Sequence, residues 1–150
     1  MTETSKQASV ADDTASVLEL TSDNFAKSID DHPFAIVDFW APWCAPCRAF
    51  APVFAAAAAR HPDALFAKVN TEDQQQIAAQ FGIRSIPTLM IFRDNIIVFS
   101  EAGALSAGAL EHVLGAAKAL DMEVVRRSIE AQDAASEPEA ASPGPSAGSG

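Results

Sequence analysis

Short apolar runs and longer segments with helical spacing alternate along residues 17–117. The apolar runs are rich in Val, Ile, Leu and Phe, a composition typical of buried strands. They lie at residues 17–20, 34–40, 65–70, 88–93 and 96–101. The other segments predict helices over 21–29, 44–60, 73–81 and 106–117. This order predicts an α/β fold with a mixed central sheet of about five strands and helices on both faces.

Residues that start or end regular structure lie at several of these boundaries. Thr21 or Ser22 is expected to cap the first helix, and Ser106 the fourth. Gly82 is expected to end the third helix, because glycine adopts the left-handed conformation that commonly terminates helices. Asp94-Asn95 between two apolar runs predicts a tight hairpin, since both residue types tolerate a positive φ.

The segments outside the domain at 17–117 have a different composition. Residues 1–16 are polar, and we expect a flexible leader there. Residues 118–132 keep apolar side chains at helical spacing and predict a C-terminal helical extension. From 133 to 150 the chain is mostly Ser, Pro, Gly, Ala and Glu, which cannot bury enough apolar area to fold alone. We expect a disordered tail in that segment.

Composition and charge narrow the classes of function. Hydrophobic residues make up 49% of the 150 residues, enough for one domain with a full core. The net charge is −10, and more than half of it comes from segments 1–16 and 128–150. We therefore expect no binding to nucleic acid. No window approaches the roughly 18 uninterrupted apolar residues of a membrane span, and the polar N-terminus does not resemble a secretory signal.

The two cysteines of the chain, Cys44 and Cys47, lie at the junction of the second strand and the second helix. The first turn of a helix has unpaired N–H groups and the positive end of the peptide dipole, and both stabilise a thiolate. We therefore expect Cys44 to have a lowered pKa and to be the attacking sulfur. Cys47 lies one turn further on the same side, where the two sulfurs can close a small disulfide ring. Pro46 offers the thiolate neither charge nor donor, which favours a reductant over an oxidant.

Trp43-Cys44-Ala45-Pro46-Cys47, preceded by Val37-Asp38-Phe39-Trp40-Ala41, resembles the active site of the thioredoxin family. The resemblance covers residues 17 to about 117 and implies the thioredoxin fold. The family usually has Gly where this chain has Ala45. Because Ala is compatible with the first turn of a helix, we expect only a small change in redox potential or in choice of partner. A single Cys-x-x-Cys pair and no other cysteine indicate a reducing compartment, and we expect the cytoplasm.

Asp38 is the one charged residue in the second strand and has two interpretations. It could be a carboxylate at a strand edge that reaches water, or a buried carboxylate with a raised pKa. Burial is favoured, because a strand that is apolar on both faces leaves little exposed surface. A buried Asp38 could accept the Cys47 proton, directly or through water, when Cys47 attacks a mixed disulfide. In the resemblance Asp38 matches the family's buried Asp, and Lys68 the lysine that tunes it, although Lys68 could equally be an exposed strand residue.

Pro87 precedes the fourth strand in a segment, residues 82–88, that resembles the family's cis-proline loop. From the sequence alone a trans Ile86–Pro87 bond is the more frequent form, whereas the resemblance implies a cis bond. In the family this loop packs beside the cysteines and pairs with the backbone of the substrate. Ser85 stands where the family often has Gly, so local contacts are expected to differ.

The resemblance also implies a surface on which substrates dock around the reactive sulfur. Its members in this chain are Trp43, Ala45, Pro46, Ile86, Pro87 and Gly103. Trp40 could be a core aromatic or a support for the active-site loop, and support is favoured. His32, His61 and His112 are isolated, with no ligand three or four residues away, so we expect no metal site.

Together these features predict a thiol–disulfide oxidoreductase that reduces disulfides in protein substrates. The resemblance implies a role in electron transport and cell redox homeostasis, reduction by an NADPH-dependent flavoprotein thioredoxin reductase, and no bound prosthetic group. We expect a monomer. One alternative is a disulfide isomerase or oxidase on the same fold, which Pro46 in place of a histidine argues against. The other is a chaperone-like binding module using the apolar surface, which an intact cysteine pair beside Asp38 argues against.

Overall fold

The computed structural model describes residues 17–141, with side chains over 17–134. The flexible leader predicted at 1–16, and residues 142–150 of the predicted tail, lie outside the described residues. Within the described range the chain forms five strands and five helices. In chain order they are β1 (Val17–Glu19), α1 (Phe25–Asp31), β2 (Phe34–Trp40), α2 (Ala45–Arg60), β3 (Leu65–Asn70), α3 (Gln75–Gln80), β4 (Thr88–Arg93), β5 (Ile96–Ala102), α4 (Ala107–Lys118) and α5 (Met122–Ala141).

The five strands form one mixed sheet in the order β1-β3-β2-β4-β5. β1, β3 and β2 are parallel to one another, β4 is antiparallel to β2, and β5 is antiparallel to β4. β2 lies at the centre and is buried along almost its whole length, as its apolar composition predicts. The predicted α/β class and the mixed sheet of five strands are confirmed.

Helices cover both faces of this sheet and produce two hydrophobic clusters. On one face, Phe54 of α2 and Leu114 of α4 pack with Ile36 of β2. On the other, Ile29 of α1 and Ile77 of α3 pack with alternate residues of the same strands. Because successive side chains of a strand point to opposite faces, residue 38 shares the face of residue 36. That face is the one covered by α2, the helix that begins at the cysteine pair.

The start of α1 differs from the prediction. The helix begins at Phe25, and the residue before it, Asn24, makes no side-chain cap. Thr21 instead caps the turn that leads into the helix, because its Oγ1 accepts the Asp23 N–H at 3.2 Å and its own N–H donates to Asn24 Oδ1 at 2.7 Å. The Thr21 carbonyl also accepts the Phe25 N–H at 2.9 Å, with the four-residue spacing of an α-helical bond. The predicted capping role of Thr21 is therefore confirmed, one turn ahead of the start of α1.

Other boundaries agree with the sequence more closely. α3 begins two residues later than predicted, because the Asn70 carbonyl accepts the N–H groups of the first two residues of that segment. Gly82 ends it with a φ of 63°, and the hairpin residues Asp94 and Asn95 have φ of 51° and 67°. Ser106 Oγ accepts an N–H from the first turn of α4 at 3.1 Å, which confirms its role as a cap.

The chain divides into one compact unit that ends at Lys118 and a second that begins at Ala119. Within the second unit, Asp121 Oδ1 accepts an N–H from the first turn of α5 at 3.0 Å. α5 continues past residue 132 to Ala141, into part of the segment predicted as a disordered tail. Residues 133–141 are mostly Ala and Glu, which are strong helix formers, and the helix includes Pro138, a residue that is unfavourable in a helix interior. No helix within residues 17–141 combines the length and apolarity that a membrane span requires.

Candidate active site

Cys44 and Cys47 form a disulfide at the N-terminus of α2, with their Cα atoms 5.2 Å apart. Cys44 is the N-cap residue, in extended conformation, and its Sγ accepts the Cys47 N–H at 3.2 Å. That N–H is one of the donors which the start of a helix leaves unpaired. The Cys44 N–H in turn donates to the Ala41 carbonyl at 3.2 Å and closes the loop that leaves β2. The structure thus confirms the predicted position of the pair at a strand-to-helix junction.

The residues around the pair differ in their access to solvent. Cys44 is 4% exposed and Cys47 1%. Trp43, which precedes the first cysteine, is 64% exposed, and Ala45 and Pro46 between the cysteines are also exposed. A molecule that approaches this end of the domain therefore meets the side chains flanking Cys44, whereas Cys47 is enclosed within the first turn of the helix.

The Ile86–Pro87 peptide bond is cis, as the family resemblance implies. The Ile86 carbonyl oxygen lies 3.8 Å from Cys44 Sγ, and the Ile86 side chain packs on the cysteine pair. The Pro87 carbonyl accepts the Gly103 N–H at 2.8 Å, which brings the end of β5 to the same place. Three of the six predicted docking residues, Ile86, Pro87 and Gly103, thus lie together, with Ile86 beside the sulfur, although they are far from it in sequence.

Asp38 lies in the middle of β2 on the face covered by α2, and it is 4% exposed. Its Oδ1 has no hydrogen-bond partner among the residues that the structure describes. Burial raises the pKa of Asp38 from its ordinary 3.8 to about 7, and the charge of Lys68 offsets part of that rise. A carboxyl group with a pKa near neutrality can both accept and release protons at physiological pH. The predicted burial of Asp38 is confirmed, and its role toward Cys47 stays a prediction.

Lys68 is the register partner of Asp38 in the adjacent strand β3. It is partly buried, and its Nζ lies 4.8 Å from the centre of the Trp40 ring. Trp40 packs against both cysteines and Ala41, and its Nε1 is buried without a partner in the described part of the chain. Lys68 and Trp40 therefore connect the buried carboxyl to the underside of the active-site loop, an arrangement that favours the tuning and supporting roles.

Several polar contacts that hold the site were not apparent from the sequence. Thr71 donates from its N–H and its hydroxyl to the carbonyl of the last residue of β2, at 2.8 and 3.2 Å. Arg48 Nη1 donates to the Pro42 carbonyl at 3.0 Å and braces the loop ahead of the cysteines. Thr88 Oγ1 donates to the Ser85 carbonyl at 2.6 Å within the cis-proline loop. The Thr71 contact joins segments that only the tertiary fold brings together, since its partner lies 31 residues earlier in the sequence. The Arg48 and Thr88 contacts are local, across six and three residues, but they depend on the loop conformations at those positions.

The three histidines lie away from the cysteine pair. His32 Nδ1 lies 2.7 Å from the Ser28 carbonyl, and His61 Nε2 lies 2.9 Å from a Glu111 carboxylate oxygen. In the range that the structure describes, no group of three or more His, Cys, Asp or Glu side chains could hold a metal ion.

Comparisons with known proteins match this chain to one family. The thioredoxin family model matches residues 16–116. A protein assigned as thioredoxin 2 in Streptomyces coelicolor is 49% identical over 119 residues, which cover 79% of this chain and 89% of the relative. Thioredoxin of Porphyra purpurea is 43% identical over 101 residues, which cover 66% and 94% of the two chains.

A solved structure gives the same result at the level of the fold. A mutant thioredoxin from Halobacterium salinarum NRC-1 superposes with a TM-score of 0.63 at 28% sequence identity. The match covers 69% of this chain and 92% of that chain.

Proposed function

The chain belongs to the thioredoxin family and is a protein-disulfide reductase that uses the Cys44–Cys47 pair, and we propose the role of each residue in that reaction. Cys44 is the nucleophile. Its thiolate attacks one sulfur of a substrate disulfide, that S–S bond breaks, and the second substrate sulfur leaves as a thiolate. The observation that carries this assignment is the N-cap position of Cys44, whose Sγ accepts a helix N–H.

Cys47 resolves the mixed disulfide, with Asp38 as its proton acceptor. Asp38 takes the proton of the Cys47 thiol, and the resulting thiolate attacks the Cys44 sulfur. The bond to the substrate breaks, the substrate leaves reduced, and the Cys44–Cys47 disulfide remains. Support comes from the burial of Asp38, its pKa of about 7 and its place on the sheet face covered by the helix of Cys47. The positive charge of Lys68 lowers the pKa of that carboxyl and so offsets part of the rise that burial causes.

Substrates dock on a surface formed by Trp43, Ala45, Pro46, Ile86, Pro87 and Gly103. The exposed Trp43 ring offers apolar area next to the nucleophile. The Ile86 carbonyl, 3.8 Å from Cys44 Sγ, lies where it could accept a hydrogen bond from the backbone of a bound substrate. The six residues bind the protein chain on either side of a target disulfide and hold its sulfur near Cys44.

The family implies disulfide-containing substrates and a thioredoxin reductase as partners. We assign the electron supply to an NADPH-dependent flavoprotein reductase, with this chain as a monomeric electron carrier without a prosthetic group. The use of both cysteines in one redox pair fits a reducing compartment, and we place the protein in the cytoplasm. Light scattering of the eluted protein tests the monomer, and cell fractionation tests the location.

For the segments outside the catalytic domain we keep the predicted division into a leader at 1–16, an extension at 118–132 and a tail at 133–150, except that the helix of the extension, α5, continues to Ala141. The extension is proposed to stabilise the domain at 17–117, because its apolar side chains recur at helical spacing. Deleting 118–150 should lower the melting temperature measurably more than deleting 134–150 alone. Equal melting temperatures for the two truncations would contradict this role.

Coupled turnover tests the proposed function. Thioredoxin reductase, NADPH and insulin are combined with the reduced protein, and NADPH consumption is followed. We expect multiple turnovers for the wild type and none for Cys44→Ser. A wild type that does not turn over, but prevents aggregation of unfolded proteins equally well with or without Cys44, would instead indicate the binding module.

A further inference from the structure

A cavity of about 360 Å³ lies between α2 and the parallel strands β1–β3 and reaches Asp38. Its outer part is walled by exposed residues of α2, Ala51 and Ala56, and its inner part by the buried Asp38. Ala55 and Lys68 line the space between, both partly buried. The cavity therefore connects solvent to the Asp38 carboxyl group, which is otherwise enclosed by the sheet and by α2.

Small side chains on α2 leave this space open. Alanine stands at positions 51, 55 and 56, where a larger residue would project over β2 and β3. A water molecule takes up about 30 Å³ of liquid, so the cavity has room for about ten. Water also needs polar partners, and the lining of the cavity offers two, Lys68 and the Asp38 carboxyl group. Size and chemistry both meet the requirements of a hydrated cavity.

The mouth of the cavity is separate from the proposed docking surface. Docking involves the loop before α2, its first turn, the cis-proline loop and Gly103, whereas the mouth lies along the second and third turns of α2. A substrate held at Cys44 covers the first surface and leaves the second free. Solvent can thus reach Asp38 at the stage when Cys47 must lose its proton.

We propose that this cavity is the route by which Asp38 exchanges its proton with solvent while a substrate occupies the cysteine face. The inference rests on the proposed role of Asp38 as acceptor for Cys47. The proton passes from the Cys47 thiol to the Asp38 carboxylate, and the resulting thiolate then forms the S–S bond with Cys44 as the substrate thiolate leaves. Asp38 then releases that proton through water in the cavity, and the carboxylate is restored for the next cycle.

Few charged groups face Asp38, so the pKa of its carboxyl depends strongly on whether the cavity contains water. Lys68 lies beside it on β3, and Glu19 of β1 is the register partner of Lys68. From α2 the lining is Ala, Pro and Phe, with no charged residue. Water in the cavity therefore stabilises the ionised carboxylate together with Lys68, and removing that water should raise the pKa of Asp38.

Filling the cavity tests the proposal. Ala55→Leu places a larger side chain in the interior of the cavity. Ala56→Leu places one at its mouth and is the alternative variant if Ala55→Leu folds poorly. Ala59→Leu is the matched control, because Ala59 is an exposed alanine of the same helix and lies outside the cavity lining. The pKa of Asp38 is measured by ¹³C NMR of labelled carboxyl groups in the oxidised protein. The resolving step is timed by acid quench and mass spectrometry of the mixed disulfide with a synthetic disulfide peptide.

We expect the pKa of Asp38 to rise by about one unit in the filled variants, with the pH midpoint of the resolving step rising in parallel. Ala59→Leu should match the wild type in both. A folded Ala55→Leu or Ala56→Leu protein with an unchanged pKa and pH midpoint would overturn the cavity route. If Asp38→Asn resolves the mixed disulfide as fast as the wild type, the proposed role of Asp38 fails instead. If the pKa of Asp38 rises in a filled variant but the pH midpoint of the resolving step does not change, Asp38 does not act in that step. The cavity route would then fail together with the proposed role of Asp38.

Discussion

Replacing Asp38 by Asn removes an ionisable group from the core of the domain while nearly keeping its shape. The carboxyl is 4% exposed and its pKa is raised to about 7 by burial. Ionisation is therefore more costly in the folded state than in the unfolded chain. This cost is absent under acid conditions, begins as the pH rises past the unfolded value of about 3.9, and levels off above the folded value. The Asn variant should gain stability over the wild type across that window.

The stability gained by the Asn variant can be calculated from the pKa shift of Asp38. A rise from 3.8 to about 7 corresponds to roughly 4 kcal/mol of ionisation cost once the pH is well above 7. At pH 5 the folded carboxyl is still mostly protonated, and the cost is roughly 1.5 kcal/mol. The difference in unfolding free energy between variant and wild type should thus widen by roughly 2–3 kcal/mol between pH 5 and pH 9. A buried amide without partners adds a penalty of about 1–3 kcal/mol, but that penalty does not depend on pH.

Denaturant unfolding of the oxidised proteins at several pH values measures this difference, since the cysteines do not titrate as a disulfide. Asp23→Asn is the control, because it removes an exposed carboxylate and should change stability by no more than about 0.5 kcal/mol. In parallel, the resolving step of Asp38→Asn should slow, because the proton acceptor is absent. A stability difference that stays constant from pH 5 to pH 9 would refute the buried, weakly acidic carboxyl. An unchanged resolving rate would refute its role as acceptor.

Three further outcomes are expected. Lys68→Met removes the charge that lowers the pKa of Asp38, so carboxyl NMR should show that pKa above its wild-type value of about 7, and no change would contradict the tuning role. In the reduced protein at neutral pH, iodoacetamide should label Cys44 first, because it is the sulfur at the helix N-cap. Preferential labelling of the second cysteine, read by mass spectrometry, would reverse the assignment. Deleting residues 1–16 and 134–150 should leave the melting temperature nearly unchanged, because neither has a core-forming pattern, whereas a loss of several degrees would show that one of them stabilises the domain.

The strands and the cysteine site were predictable because their signals are local. A strand of seven residues that is apolar on both faces belongs at the centre of a sheet, and β2 lies there. The same argument predicted the burial of Asp38. A Cys-x-x-Cys pair between a strand and an alanine-rich helix can only lie at the helix start, which is where Cys44 is found.

The remaining features depend on which segments meet in space. Thr21 has the side chain of a good cap and caps a turn through Asp23 and Asn24, but the sequence did not show that α1 itself begins only at Phe25. The cis bond at Pro87 was implied only by the family resemblance, since trans is the commoner form for an isolated X-Pro bond. The alanines of α2 indicate a helix in the sequence. That three of them, Ala51, Ala55 and Ala56, also line a cavity leading to Asp38 becomes visible only when β2 and β3 are placed beneath them.

The division of work between the two cysteines is the central claim, and trapping of the mixed disulfide tests it most directly. Reduced Cys47→Ser and Cys44→Ser proteins are incubated with a protein that contains one accessible disulfide, then acid-quenched and analysed by mass spectrometry. Cys47→Ser should accumulate a mixed disulfide through Cys44, because the attack occurs and the resolving thiol is missing. Cys44→Ser should accumulate none. Accumulation by Cys44→Ser and not by Cys47→Ser would contradict the account.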